Sequence, residues 1–257
     1  MDCKDIFKFF CAAAFSAVVC GCAANKEILS VSDLSVAELE KRMNAAVDPQ
    51  GLFAASKSYV MRQEIREKQW LDEDTVKMVE LKFEKPDKLA LITYDDNQIS
   101  SVFCSDGTRG WIADYNSKKV MQLDAKGLRR MQTLTSLSRP GGGGYQSVFK
   151  RVDIHKCVND DGIFYRLSCY GSEQEYPLYF YIDAKDYLLR RAKMKVVVGD
   201  GKVLDYENRI DGYAMRDGVV IPIECEVRQL GATQKSKVIH YELNAKFAPS
   251  EFQAPVF

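Results

Sequence analysis

From Lys57 to the C-terminal region the chain alternates apolar and polar positions with a period of two, the signature of half-buried strands. The stretch Val79 to Leu123 shows this best. Short runs rich in Val, Ile, Phe, Tyr and Trp are punctuated by Lys-Pro-Asp, Asp-Asp-Asn, Ser-Asp-Gly and Tyr-Asn-Ser, the turn chemistry of an antiparallel meander. It predicts strands at Lys88–Asp95, Gln98–Ser105, Arg109–Tyr115 and Lys118–Asp124, with hairpin corners at Gly107 and Asn116. Upstream, a long strand runs from Tyr59 toward Trp70, turns at Leu71–Asp74 and returns through Val76 to Glu84. Downstream, strands are expected at Val152–Val158, Ile163–Tyr170, Leu178–Asp183, Leu188–Val198, Val203–Tyr213, Val219–Gln229 and Lys235–Phe247. Gly199-Asp200-Gly201 and Asp217-Gly218 supply two of their turns.

The period lengthens to that of a helix twice. Ser35-Val-Ala-Glu38 has capping-box spacing, and Val36, Leu39, Met43 and Val47 follow on one face. Ala125 to Leu137 places Leu128, Met131, Leu134 and Leu137 on one stripe, with Arg129 and Arg130 off it. Ser138-Arg139-Pro140 stops that helix, and Tyr145 to Lys150 adds a short helical turn. The glycines 141–144 between them are not a phosphate loop, because no strand feeds them and no Gly-Lys-Ser/Thr closes them. They read as a hinge. Both helices need an apolar surface to lie on, and the sheet needs one face covered. The class is α+β.

The N-terminus changes the picture of where this fold works. Lys4 and Lys8 precede an apolar run from Phe9 to Cys20, the length of a secretory core and too short to span a bilayer. It ends in Val19-Cys20-Gly21-Cys22, which resembles a bacterial lipobox. Small residues precede the scissile bond, and Cys22 offers the thiol that takes the lipid, with acyl chains of the palmitate type. The competing reading is an ordinary cleaved signal peptide. Ala23, in place of an aspartate, favours the outer membrane by the enteric sorting rule. The division expected is 1–21 as signal peptide, 22–35 as a lipidated tether and 36–257 as a single domain. Charge is balanced, 36 basic against 36 acidic residues, so neither a nucleic-acid footprint nor a polybasic membrane patch is expected. Cys104, Cys157, Cys169 and Cys225 would remain in a compartment that permits disulfides. Bridges and buried free thiols are both open.

Amphipathic helix, meander, helical interruption and further meander, behind a lipobox, resemble the LolA/LolB family of periplasmic lipoprotein carriers and receptors. The outer-membrane lipoprotein-sorting proteins and the RseB-type envelope sensors are similar. The residues that carry the resemblance are Leu39 to Met43, Met61-Arg62-Gln63, and Leu81 through Leu89 with its Lys85-Pro86. Ser105-Asp106-Gly107, Gly110-Trp111-Ile112 and Tyr115-Asn116 complete the set. The resemblance is best from about Ala37 to Leu123. It implies a strongly curved antiparallel sheet, an open or half barrel, with helices over its concave apolar face. It implies a cavity for the acyl chains of lipoproteins or other envelope lipids, lined by Leu81, Phe83, Leu89, Leu91, Trp111, Met121, Leu128, Met131 and Leu134. In the soluble carrier an arginine before the strand-end proline bonds to helix carbonyls and holds the lid closed. Here that position is Lys85, which has charge but no planar fork of donors. The alternative function implied by the resemblance is an envelope-stress sensor that binds a protein partner with the same fold.

Catalysis is not expected. His155, Asp153 and Cys157 lie along one strand about 6–7 Å apart per step, instead of converging from different elements. His240 reads as a rim or core residue. No ligand spacing suggests a metal, and no cofactor is expected.

Overall fold

The structure, a computed structural model, describes residues 27–68, 75–137, 144–171, 176–197, 202–229 and 232–257. Cys22 with its leader, the turns expected at Leu71–Asp74 and 199–201, the helix stop expected at Ser138–Pro140 and the glycines 141–143 lie outside the described residues. The period-two segments pair as expected into one 14-stranded sheet. Its first meander comprises β2 (Ser58–Lys68), β3 (Thr75–Glu84), β4 (Lys88–Asp95), β5 (Gln98–Ser105), β6 (Gly110–Asp114) and β7 (Lys119–Gln122). The second comprises β8 (Arg151–Asn159), β9 (Gly162–Tyr170), β10 (Leu178–Asp183), β11 (Leu189–Val197), β12 (Val203–Arg216), β13 (Val219–Gln229) and β14 (Ala232–Leu243). β14 pairs with β2 and joins the two meanders, so the spatial order runs β8 to β14 and then β2 to β7. The neighbours are antiparallel and the sheet is not closed.

One strand was not foreseen. Ile28–Val31, inside the segment expected to be a tether, forms β1 and pairs with β8 as an edge strand. Its side chains are largely exposed, so no alternation betrayed it. At the other limit β14 ends at Leu243, four residues before Phe247, because the chain leaves the sheet to cross its opposite face.

Turn chemistry sets the register. Asp96 and Asn97 take φ of 50° and 62°, and Asp217 and Gly218 take 48° and 76°, the pair of positive values a tight twisted hairpin needs. At the Tyr-Asn corner the left-handed residue is Lys118, φ 51°, and not Asn116. There the Asp114 carboxylate accepts from the amides of Asn116 and Ser117.

Among the described residues the α-helices are α1 (Val36–Val47), α2 (Leu52–Ala55), α3 (Ala125–Leu137) and α4 (Tyr145–Val148). Ser35 caps α1 reciprocally with Glu38, and the predicted stripe Val36, Leu39, Met43 and Val47 is buried. Of these, Val36, Leu39 and Met43 pack with Tyr145, Phe149, Tyr165, Leu167, Cys169, Phe180 and Ile182 on the half of the sheet made by the second meander. A separate cluster gathers Phe53 of α2 and Met131 of α3 with residues of β2, β3, β4, β6, β13 and β14. The two main helices thus contribute to different core clusters on the inner face. The reason lies in length: a 12-residue helix is about 18 Å long and cannot cover a sheet this wide.

The outer face is covered too, on one half. A 3-10 turn at Pro249–Phe252 drops Phe252, 1% exposed, onto Ala90, Ile92, Val102, Cys104 and Ala113. Beside it Glu80, nearly fully buried, accepts from Arg62, and Lys82 bridges Glu80 at 3.1 Å to Glu251. The four described cysteines are free thiols, three of them buried.

Candidate functional site

Register alone assembles the floor of the site. Tyr241 faces Met61, Met61 faces Leu81, Leu81 faces Leu91, Leu91 faces Phe103, Phe103 faces Ile112 and Ile112 faces Met121. Cross-strand partners share a face, so this is one apolar row across seven strands. At about 4.8 Å per strand it runs roughly 29 Å along the sheet. The neighbouring row adds Leu243, Tyr59, Phe83 and Leu89. Phe83, Tyr59 and Met131 are fully buried, but Met61, Leu81, Phe103, Met121, Leu128, Ile223, Val238 and Leu243 keep part of their apolar surface open. The inner face of this half is an apolar groove that the helices cover only in part.

One end of the groove is closed by α2, a single turn held at both ends. The Asp48 carboxylate accepts from the amides of Phe53 (3.1 Å) and Ala54 (2.9 Å). From below, the Lys85 ammonium donates to the carbonyls of Phe53 and Ala54, both at 2.8 Å, and lies 5.2 Å from the centre of the Phe53 ring. An arginine fork is therefore not required here: a lysine reaches two helix carbonyls, a favourable place for a cation. Lys85 itself is fixed at the strand end by its amide, which donates to the Lys57 carbonyl at 2.8 Å. At α2 the rings of Phe53, Phe83 and Tyr241 surround that of Tyr59 at centroid distances of 5.7, 5.3 and 5.9 Å, the first two tilted and the last stacked.

The far end is shaped by a close approach. A Cβ at Gly110 would sit 2.8 Å from the Leu123 side chain and 3.3 Å from that of Leu128, so glycine there lets α3 settle onto β6. The structure brings Leu81, Phe83, Leu89, Met121, Leu128 and Met131 into this one cluster. Leu91 is in the floor row by register. The Leu134 side chain lies outside the described residues. Trp111 does not join them. Strand alternation puts Ile112 on the groove side and Trp111 on the opposite face, where it packs in the cluster around Phe252 with Arg109 5.4 Å from its ring. Met61, Phe103, Ile112 and Tyr241 belong to the floor and were not among the expected lining residues. Carrying the phase of Leu81 and Leu91 across each hairpin would have found them.

The groove is poor in charge. Burial raises the Tyr241 phenol well above its ordinary range, and the fields of Tyr59, Asp217 and Asp48 add to this. Among the described residues no group of three or more His, Cys, Asp or Glu is placed to hold a metal. The arrangement offers nonpolar burial with a few polar atoms at one end.

No family model matches the chain, and no curated protein matches it in sequence. Solved structures do match it in shape. A LolA superfamily protein from Nitrosomonas europaea superposes with a TM-score of 0.59 at 11% identity, over 86% of this chain and 98% of its own. The fold is LolA-like. A domain named as an outer membrane lipoprotein-sorting protein from Vibrio parahaemolyticus gives 0.57 at 12% identity, over 84% and 94%. A DUF1329 family protein from Desulfovibrio piger gives 0.55 at 10%, over 84% and 95%. At these identities what is shared is the LolA-like sheet with its helices on the inner face.

Proposed function

We propose that this protein is a lipid-anchored carrier or receptor of the cell envelope that takes acyl chains, those of lipoproteins or other envelope lipids, into the groove beneath α2 and α3, without catalysis. The observation that carries the proposal is the seven-strand apolar row left partly uncovered on an otherwise well-packed sheet. Monomeric proteins bury such surface unless something else covers it, and each methylene that an acyl chain buries there contributes about 0.8 kcal/mol. The row is also long enough. Half of a bilayer's hydrocarbon core, one chain deep, is about 15 Å, against roughly 29 Å of floor. Support for the envelope setting comes from the lipobox at Cys22 and from the sorting-protein name of one structural neighbour. Anchoring through Cys22 to the outer membrane follows from the same motif.

Three measurements test this. Native mass spectrometry of the gently purified protein should show co-purified lipid, and the delipidated protein should take up a fluorescent lipid. A delipidated protein that takes up none sinks the carrier reading. Cys22→Ala should move the protein from the membrane to the soluble fraction; a variant that stays in the membrane removes the anchor.

A further inference from the structure

The floor of the groove carries a buried polar atom that bears on its ligand. The Tyr241 hydroxyl is buried without a hydrogen-bond partner, on a residue only 8% exposed. Burying a hydroxyl unsatisfied is costly, and native proteins rarely leave one so. Its position gives it a use. Tyr241 ends the apolar row, faces Met61 across the ladder, and stacks on Tyr59 beneath the α2 turn.

We propose that the Tyr241 hydroxyl is the polar anchor of the groove, donating to the carbonyl oxygen of an uncharged ester or amide at the head of a bound acyl chain. This rests on the reading of the groove as an acyl-chain site and narrows the ligand class within it. Burial keeps the phenol protonated, so it is a standing donor and suits an acceptor. The charges that face this end come from three elements. Asp48 precedes α2, and its carboxylate holds the α2 amides. Asp217 lies in the β12–β13 turn, and its carboxylate accepts from the Leu243 amide at 3.0 Å. Both anions act on Tyr241, and both would repel a free carboxylate. The nearby cation, Lys85, is engaged with the carbonyls of Phe53 and Ala54. An ester or amide carbonyl meets the donor without meeting that repulsion, and its chain can then run along Met61, Leu81 and Leu91.

The test uses the full chain, purified and delipidated, with two probes that carry the same pyrene-labelled chain: a monoacylglycerol and the free fatty acid. The wild type should bind the ester more tightly. Tyr241→Phe keeps the ring and its stacking, and should weaken the ester about three- to tenfold, the worth of one hydrogen bond, while leaving the acid unchanged. An ester bound equally well by Tyr241→Phe, or a wild type that prefers the acid, overturns the proposal. Should neither probe bind the wild type, the acyl-chain reading fails first. A readout independent of folding in the variant is the infrared band of an isotope-labelled ester carbonyl bound to wild type. It should shift to lower frequency than in hexane, and an unshifted band refutes the hydrogen bond.

Discussion

Replacing Lys85 by methionine isolates the clasp on α2. The substitution keeps the aliphatic stem under Phe53 and removes two ammonium–carbonyl hydrogen bonds of 2.8 Å. Each bond to a charged group contributes about 1.5–3 kcal/mol when well buried. Lys85 is half-exposed and the Ala54 carbonyl faces solvent, so solvent competition reduces the pair to about 1–2 kcal/mol in total. Asp48 still holds the other end of the turn, so α2 should loosen without unfolding the sheet. One to two kcal/mol is about a five- to thirtyfold rise in the open population. Hydrogen exchange reads it directly. The Ala55 and Ser56 amides, bonded to Gly51 and Leu52 at 2.9 Å each, should exchange about five to thirty times faster. Amides of β3 should keep their protection. Lys85→Arg should restore most of the effect. If Ala55 and Ser56 exchange at the wild-type rate in Lys85→Met, the clasp does not hold the turn and the geometric argument fails.

Two further outcomes concern the outer face. Phe252→Ala should destabilise the protein by about 3–5 kcal/mol, because the ring is 1% exposed among Ala90, Ile92, Val102, Cys104 and Ala113; a urea midpoint unchanged from wild type would show that the C-terminal turn adds nothing. Burial works to raise the Glu80 carboxyl, but hydrogen bonds from Arg62 and Lys82 outweigh it and hold the group below 4.5. Its contribution is therefore complete above about pH 4.5 and lost as pH falls through the lower folded value. Glu251, lowered through Lys82, acts with the same sign. Denaturation midpoints measured from pH 6 to pH 3 should fall more steeply for wild type than for Glu80→Gln, and parallel curves would refute the assignment.

Much of the sheet was legible because its strands obey period two and its turns carry their own chemistry. β4, β5, β10, β13 and the helices α1 and α3 fall at the expected residues. What escaped did so for identifiable reasons. β1 has no buried side chain, so pairing with β8 rests on backbone bonds that leave no pattern in the sequence. Trp111 was expected in the groove lining, yet hydrophobicity does not choose a face; only the phase does. Here the phase could mislead because β4, β5 and β6 are buried on both faces, one by the helices and the other by Phe252. A strand covered on both sides loses its polar alternate positions. The Leu-Ala-Leu-Ile run at 89–92 records this: Leu89 and Leu91 face the groove, and Ala90 and Ile92 face the C-terminal turn. The Lys85 clasp was visible as a position but not as a contact, since which carbonyls α2 would present depends on where Asp48 starts it.

The distribution of helix over the inner face is the argument for function that sequence comparison does not supply. The 12-residue α1 packs Val36, Leu39 and Met43 into the core over the β8–β11 half. The other half receives a four-residue turn at one end and α3 at the other. A single turn has almost no intrinsic stability, so α2 stays shut through Phe53 packing, Asp48 and Lys85. These are separable contacts, and their loss exposes Tyr59, Phe83 and Tyr241 without disturbing the α1 core, which forms a distinct cluster. The chain therefore places a four-residue turn over one end of the seven-strand apolar row, where the buried, unpartnered Tyr241 hydroxyl lies. A fold optimised for stability alone would have done the reverse, extending the strong helix over the open half. On the proposed reading, the light cover over this half is where an acyl chain enters.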